Sequence, residues 1–536
     1  MSHTTDSSMS GTRRARALRG VLAASALACA QLSPATLVPA FAVERGGTVV
    51  QAEWIAVPSL DPHLSSAVTS VVWSNMFDSL FSYTPPQGPG DTYEIGPALA
   101  TSYELVEGTL VELTLRDDAV FHDGTALDAE AVKWNLERAR DHEMSTRKLS
   151  VENISEITVV DDHTLRIRLA SPQPLFDVLL SPANPANVYM VSPQAVEQMG
   201  EEEFARQPVG SGPFRVVDYR PDDRIVLERF DDHWEVGEDG EPLPYADALT
   251  IRFVPDQSVA ALELRAGSIH VAEPLQQDIA ALAADPDIAT HEVPLTDRAL
   301  PSFYITSKPE LGSPFAGDVR LRQAVQHAVN REAMAAVMGF GNATAHYYWG
   351  WYPGVPGYDE SLPRYEYDPE KARELLAEAG FGDGISLDVK VINRPRDVQP
   401  LEIMQGMLSE VGIDLNIVLL DRTPWIDSGR SGNFEALSHA NTANIDPLLR
   451  QQTRTGSSSN WAGYSNPDVD ALWEKVSNVA DVAERAEIYR QMQRIMHEDA
   501  YFFIGYRIPT IMAHSAKLHG IGKTGGYGMR YAWIEQ

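Results

Sequence analysis

Apolar and polar residues alternate along several segments of the chain, and in other segments the apolar residues recur every three or four positions. In LVELTLR, residues 110–116, the alternation predicts a strand with one buried face. A turn that contains Asp and Gly follows, and Asp128 then stands where a helix would begin. Val132, Leu136 and Ala139 fall at i, i+4 and i+7, which predicts an apolar helix face. This stretch therefore predicts a strand, a turn and a capped helix.

The same two patterns continue along the chain and predict a mixed α/β protein. A hairpin is predicted at residues 154–169, because two alternating segments flank an Asp-Asp-His turn. A βαβ unit is predicted from strands at 385–392 and 413–420 around a helix at 399–411. Further helices are predicted at residues 319–329, 369–379, 469–476 and 482–496.

Length and charge narrow the class of protein. A chain of 536 residues exceeds one ordinary hydrophobic core, so we expect two or three domains or one large two-lobed architecture. An apolar content of 44% and a charged content of 22% are typical of a soluble globular protein. The formal net charge is -32, and Lys and Arg form no cluster beyond the extreme N-terminus. This balance argues against a nucleic-acid surface and favours a soluble monomer.

The first 42 residues have the pattern of an export signal. Arginines at the start precede the mostly apolar segment 21–32, and the sequence AFA at 40–42 is a small-x-small cleavage site. We therefore expect a signal peptide at residues 1–42, with general secretory and twin-arginine export both open. The single cysteine, Cys29, lies in this segment, so the mature chain would contain no thiol.

Several motifs resemble those of a known family. The run LRDDAVFHDGTALDAEAVKWNLERA, from residue 115, is similar to the signature of the family 5 extracellular solute-binding proteins, which serve ABC importers of peptides, opines and nickel. The segments SLDPH at 59–63, GSGPF at 210–214 and YDPEKA at 367–372 also resemble the family. The resemblance extends over most of the mature chain.

This resemblance implies an α/β, two-lobed periplasmic binding protein fold (type II-like, class C) with a hinge between the lobes. We expect lobe one at residues 43–300, with an inserted subdomain at about 86–206, and lobe two at residues 301–500. Residues 501–536 would return to lobe one. A composition change at 296–304 marks the boundary between the lobes.

The resemblance also implies function. We expect the periplasmic solute-binding component of an ABC importer, which captures a peptide or peptide-like carboxylate by hinge closure and delivers it to an inner-membrane permease. No catalytic residue, metal or cofactor is predicted, and the partners are the ligand and the permease. An oligosaccharide- or metal-chelate-binding member of the family is the alternative.

Arg394 is the first candidate ligand-binding residue. It follows directly from a predicted strand end, where α/β sheets place ligand contacts. It matches the arginine with which dipeptide-binding members of the family hold a ligand carboxylate, and a guanidinium fork suits that task because it makes two parallel charged hydrogen bonds. The alternative is a surface arginine that balances an acidic protein.

The segment 438–447, SHANTANIDP, provides further candidates. Peptide-binding members of the family carry an aspartate three residues before an Asp-Pro pair, and that aspartate takes the α-ammonium group of the peptide. Ala443 occupies this position, so either the ligand lacks a free α-amine or another acid takes over. The predicted ligand contacts in this segment are Asn441, Thr442, Asn444 and Asp446. The alternative is a loop whose side chains satisfy its own backbone.

Aromatic residues supply the last candidates. Trp349 and Trp351, in the run YYWGWY, and Trp425 would stack on a sugar ring or a ligand side chain if they were exposed. If they are buried they anchor a loop rich in Pro and Gly, which we expect for most of the run.

Two functions of other classes remain as alternatives. A secreted hydrolase lacks support, since there is no Gly-x-Ser-x-Gly motif and no His-Glu pair is followed by the second histidine of a zinc helix. A chaperone-like binder of unfolded chains would need an exposed apolar patch, and no segment of the sequence predicts one.

Overall fold

The computed structural model describes residues 43–65, 70–84, 94–106, 108–173, 175–184, 186–353, 355–439, 441–442, 449–457, 459–479, 481–524 and 528–535. The predicted signal peptide lies outside these residues. Within them, no helix combines the length and apolar character that crossing a membrane requires.

The strands of the described part are β1 (Thr48–Glu53), β2 (Phe81–Thr84), β3 (Glu94–Pro97), β4 (Ala100–Val106), β5 (Leu110–Leu115), β6 (Ile154–Asp161), β7 (Thr164–Leu169), β8 (Phe214–Arg220), β9 (Arg224–Arg229), β10 (Ala248–Phe253), β11 (Val271–Ala272), β12 (Ile288–Ile305), β13 (Thr344–Ala345), β14 (Ile385–Ile392), β15 (Ile413–Leu420), β16 (Ala436–Ser438), β17 (Asn441–Thr442), β18 (Phe502–Ser515), β19 (Leu518–His519) and β20 (Trp533–Ile534).

The α-helices of the same residues are α1 (Ser70–Met76), α2 (Ala129–Asp141), α3 (Lys148–Val151), α4 (Phe176–Leu179), α5 (Pro193–Met199), α6 (Glu201–Phe204), α7 (Gln257–Arg265), α8 (Gln276–Ala283), α9 (Pro314–Gly317), α10 (Val319–Ala328), α11 (Arg331–Gly339), α12 (Pro369–Glu378), α13 (Pro395–Ser409), α14 (Arg422–Ser431), α15 (Arg450–Thr453), α16 (Pro467–Val476) and α17 (Val482–Asp499).

Twelve of the described strands form one sheet that runs through two lobes. Its main path has the order β15-β14-β16-β12-β18-β11-β1-β10-β9-β8, with β13 and β17 attached to β18 and β12. Strands β12 and β18 are antiparallel to each other, and both are long enough to belong to the two halves of this sheet. Their pairing is irregular between Val293 and Arg298, close to the composition change in the sequence.

The hydrophobic cores show how the two long strands are shared. Val293 of β12 and Met512 of β18 pack in the core around β1, β9 and β10, which we call lobe one. Phe303 and Phe503, of the same two strands, stack with ring centroids 4.8 Å apart in the core around β14 and β15, which we call lobe two. The two strands therefore cross from one lobe to the other. The exact domain boundaries given above remain predictions.

A smaller sheet, with the order β4-β5-β7-β6, carries the signature segment. The predicted strand and helix are confirmed as β5 and α2, and the Asp128 carboxylate accepts a hydrogen bond from the Ala131 amide at 2.9 Å. Val132, Leu136 and Ala139 are buried against this sheet, as the spacing predicts. The predicted hairpin is confirmed as β6 and β7.

The GSGPF segment is glycine-rich because the chain passes close to α1. A Cβ added at Gly210 would lie 2.2 Å from the carbonyl oxygen of Met76. His122, from the signature turn, holds the same crossing: its Nε2 donates to the Gly212 carbonyl at 2.9 Å, and its Nδ1 accepts from the Gly210 amide at 3.3 Å. Both ring nitrogens are satisfied only by the neutral imidazole.

Acid should therefore weaken the fold through buried histidines. Burial lowers the pKa of His122 to about 4, and it does the same for His346 and His497. Because the unfolded chain binds these protons near pH 6.5, stability is lost as the pH falls from about 6.5 towards 4. At pH 5 we expect His122 alone to lower the free energy of unfolding by about 2 kcal/mol relative to pH 7.5.

Urea unfolding at pH 7.5, 6.5, 5.5 and 5.0 measures this loss. The variant His122→Gln should lose less stability between pH 7.5 and 5.0 than the wild type does. A change at an exposed residue that does not titrate, Gln207→Asn, should leave the slope of stability against pH unchanged. Equal slopes for the wild type and His122→Gln would contradict the assignment.

Candidate functional site

Strand directions place two sets of strand ends opposite each other. β1 is parallel to β10 and β11, and β11 is antiparallel to β18, which is antiparallel to β12. β1 therefore runs in the direction of β12, which passes from lobe one to lobe two, so the carboxyl end of β1 points at lobe two. β16 is antiparallel to β12 and parallel to β14, which is parallel to β15. The carboxyl ends of these three strands consequently point at lobe one, and ligands of α/β sheets bind at such ends.

Arg394 lies at this edge of lobe two. One residue separates it from the end of β14, and it is the N-cap residue of α13. This helix begins at Pro395 rather than at the predicted residue 399. The earlier start has a simple cause, because proline lacks only an amide hydrogen that the first helical turn leaves unused. The βαβ unit itself is confirmed by the parallel pairing of β14 with β15.

The guanidinium of Arg394 is bound by Asp397 through only one of its three nitrogens. Its Nε donates to the Asp397 carboxylate at 2.6 Å, and 45% of its side chain is exposed while only 7% of the Asp397 side chain is. Among the described residues, its Nη1 and Nη2 have no hydrogen-bond partner. These two nitrogens carry four of the five donors of the guanidinium, so a planar anion has room to bind there.

Aromatic side chains surround His439, which follows β16 at the same edge. The ring of His439 stacks on Trp425 at a centroid distance of 5.8 Å and meets Tyr304 at 5.4 Å and Trp461 at 6.0 Å. Trp425 is 9% exposed, and its Nε1 donates to the Ser438 carbonyl at 3.0 Å. Trp425 is therefore a buried member of the aromatic cluster at the end of β16.

The aromatic run YYWGWY, residues 347–352, is buried inside lobe two. Trp349 is 5% exposed and stacks on Phe502 with ring centroids 5.0 Å apart. Trp351 is 1% exposed, and the neighbouring Tyr352 stacks on His346 at 4.7 Å. These positions agree with the loop-anchoring alternative for the run, and a direct role in ligand binding stays a prediction.

The polar segment after β16 is described in part. Asn441 and Thr442 form β17, which pairs with Arg298 and Ala299 of the crossing strand β12. This pairing places their backbone beside the passage between the lobes. Asn444, Asp446 and Ala443 lie outside the described residues, so their predicted roles stay predictions.

Lobe one presents acidic groups at the opposite edge. Glu53 ends β1, and its carboxylate accepts a hydrogen bond from Gln51 Nε2 at 2.7 Å. Trp54 follows, and its Nε1 donates to the carboxylate of Glu273 at 3.2 Å. Burial raises the pKa of Glu53 to about 8, and the like charge of Glu273 acts in the same direction.

One contact joins the two edges. The guanidinium carbon of Arg396, in the first turn of α13, lies 5.7 Å from the ring centroid of Trp54, within the range of a cation–π interaction. Arg396 also lies near Asp397, with 3.5 Å between its Nε and the carboxylate. The site therefore has acids on lobe one, arginines on lobe two and the crossing strands beside them.

Five residues of this region, which none of the motifs above had indicated, are Gln51, Glu53, Glu273, Arg396 and His439. A signal for the first two was present, since strands buried in a parallel sheet are usually continuous apolar runs. Polar residues at i and i+2 of TVVQAE depart from that pattern on one face of β1. Glu273 carries no comparable signal, because it reaches the site through a contact with a residue 219 positions away.

A family model described as bacterial extracellular solute-binding proteins, family 5 Middle, matches residues 94–463. The glutathione-binding protein GsiB of Salmonella paratyphi A is 30% identical over 509 residues, which are 92% of this chain and 95% of GsiB.

Solved structures give the same result. The periplasmic binding protein DppA of Helicobacter pylori, in complex with the peptide STSA, is 25% identical with a TM-score of 0.76, over 92% of this chain and 99% of that chain. The dipeptide-binding protein of a Pseudoalteromonas species, in complex with Met-Leu, is 20% identical with a TM-score of 0.75, over 91% and 100%, and this likeness concerns the fold alone.

These matches confirm the two-lobed α/β fold and the resemblance carried by the signature segment. The family match includes the smaller sheet, the crossing strand β12 and the edge of lobe two at Arg394. The chain belongs to the bacterial extracellular solute-binding proteins of family 5.

Proposed function

We propose that the protein is the periplasmic solute-binding component of an ABC importer and that it binds a peptide-like ligand with a carboxylate. The ligand would lie between the carboxyl end of β1 and the carboxyl ends of β14 and β16. Closure of the lobes about β12 and β18 would enclose it, and the closed form, as a monomer, would deliver it to the permease.

The geometry of Arg394 is the observation that carries this proposal. The positively charged guanidinium of Arg394 lies at a strand end of lobe two that faces lobe one, and Asp397 binds it through Nε alone. A carboxylate that binds both Nη groups gains charge-assisted hydrogen bonds in a cleft that closure makes dry. The related proteins point to the same ligand class, since GsiB is named for glutathione and DppA was solved with a peptide.

A ligand screen tests the proposal. Residues 43–536 would be titrated by calorimetry, after a thermal-shift survey, with reduced glutathione, di- to pentapeptides, their C-terminal amides, opines, nickel chelates and oligosaccharides. A ligand that binds only the folded state raises the melting temperature.

The screen separates the alternatives. We expect peptides or opines with a free carboxylate to bind, and the matched amides to bind at least about tenfold more weakly. Binding of oligosaccharides alone would overturn the ligand class. Turnover of any compound would overturn the transport role.

A further inference from the structure

The feature that the carboxylate proposal leaves unexplained is the polar face of β1. β1 lies between β10 and β11 inside the large sheet, and Gln51 is fully buried there. Its Nε2 donates a hydrogen bond to the Glu53 carboxylate, and its Oε1 has no hydrogen-bond partner among the described residues. A buried acceptor without a partner destabilises the fold, so a donor supplied from outside the chain would relieve it.

Among the side chains that the structure describes, no Lys or Arg forms an ion pair with the Glu53 carboxylate, and the like charge of Glu273 acts on it. Burial next to a second carboxylate makes the ionised form of Glu53 costly, which is why its pKa is raised to about 8. A bound cation would offset both the burial and the repulsion.

Gln51, Glu53 and Glu273 are neighbours on one face of the sheet, because Gln51 is in register with Val271 of β11 and Glu53 and Glu273 each follow two residues later. Glu273 is oriented by Trp54, whose ring also meets Arg396 of lobe two. A primary ammonium has three N–H donors, a positive charge and no acceptor, so it matches the Gln51 oxygen and the two carboxylates. A carboxylate ligand has no donor, and a sugar hydroxyl brings one donor and no charge.

We propose that Gln51, Glu53 and Glu273 form a binding site for the ammonium group of the solute. This inference rests on the proposed function, because it assigns the second pole of the same ligand. A zwitterion would place its ammonium on lobe one and its carboxylate at Arg394 on lobe two. One molecule would then join the two lobes by opposite charges, and only the closed form makes both contacts.

Matched peptides test this site. The probes are trialanine and N-acetyl-trialanine, and reduced glutathione and its N-acetyl derivative, which differ within each pair only by the ammonium group. We expect the wild type to bind the free member of at least one pair at least about tenfold more tightly. Glu53→Gln should bring the ratio within a pair to about one, by weakening only the free member.

Two further variants keep the test decisive. Gln51→Met removes the acceptor but no charge, and should reduce the ratio less than Glu53→Gln does. Glu228→Gln, an exposed lobe-one glutamate paired with Arg215, is the matched control and should leave the ratio unchanged. Urea unfolding of each variant shows whether it is folded. If Glu53→Gln is not folded, a lower ratio in Gln51→Met than in the wild type supports the site and an unchanged ratio overturns it.

The outcomes distinguish the two proposals. Equal binding of free and acetylated peptides by the wild type, with both sensitive to Arg394→Ala, would overturn the ammonium site and support the carboxylate site. An unchanged ratio in Glu53→Gln would also overturn the ammonium site. Absence of peptide binding altogether would overturn both.

Discussion

Replacing Arg394 by alanine is expected to weaken binding of a carboxylate ligand by about 2–4 kcal/mol, roughly 30- to 1,000-fold in dissociation constant. The side chain would lose its contacts with the ligand and leave the ligand carboxylate enclosed without a partner. Asp397, which now binds Arg394 Nε at 2.6 Å, would keep only Arg396, at 3.5 Å, as a cationic neighbour. Calorimetric titration of the best peptide from the screen measures the change.

Three comparisons make the Arg394 result specific. Arg394→Lys keeps the charge but not the planar fork, so an intermediate loss is expected. Arg490→Ala removes a surface arginine that pairs with Glu487 on α17, and should not change affinity. The C-terminal amide of the same peptide should be insensitive to Arg394→Ala. Wild-type affinity of Arg394→Ala for the free acid would remove this residue from the site.

Replacing Arg530 by alanine is expected to lower the free energy of unfolding by about 3–5 kcal/mol. Arg530 is buried beside two acids: its Nη1 contacts Glu235 at 2.5 Å, and its Nη2 lies 3.4 Å from Asp78. Its removal leaves Glu235 buried without its cation and leaves Asp78 with His233 alone. Arg530 holds the pKa of Glu235 below its ordinary value, and His233 together with Arg530 does so for Asp78. The contact fastens residues 528–535 to lobe one.

Equilibrium urea unfolding at pH 7.5 measures the Arg530 effect. Lys523→Ala is the matched control, because Lys523 belongs to the same C-terminal segment and pairs with Glu238 at the surface. An exposed pair contributes no more than about 1 kcal/mol, so this control should lie near the wild type. If both variants lost the same amount of stability, the buried network would not be what holds the segment.

The elements that the sequence predicts well are those with local signals. Asp128, Asp318, Asp368 and Asn466 each cap the helix expected after them, and each side chain accepts a backbone hydrogen bond. A cap and an apolar stripe involve residues within a few positions of each other, so one sequence contains the whole signal.

The arrangement of the lobes depends on contacts that no local pattern contains. β12 pairs with β18 although about 200 residues separate them, and this pairing makes the crossing between lobes. The composition change near residue 300 indicated a boundary, but not that two strands continue through it.

For the same reason the sequence points to only part of the candidate site. Arg394 could be selected because a strand end and a family motif coincide at one position. The tryptophans could not be placed, because a run such as YYWGWY reads the same whether it packs inside a lobe or faces a ligand. The acidic residues of lobe one could not be predicted as a group, because they come together only in the folded chain, where Trp54 contacts Glu273.

The measurement that tests the account most directly is a crystal structure of residues 43–536 with the tightest-binding peptide from the screen. We predict the peptide between the ends of β1 and β14, with its carboxylate in hydrogen-bond contact with Arg394. A separate cavity of about 920 Å³ lies between residues 148–179 and residues 450–459. A peptide bound in that cavity, with the strand edges empty, would contradict the account.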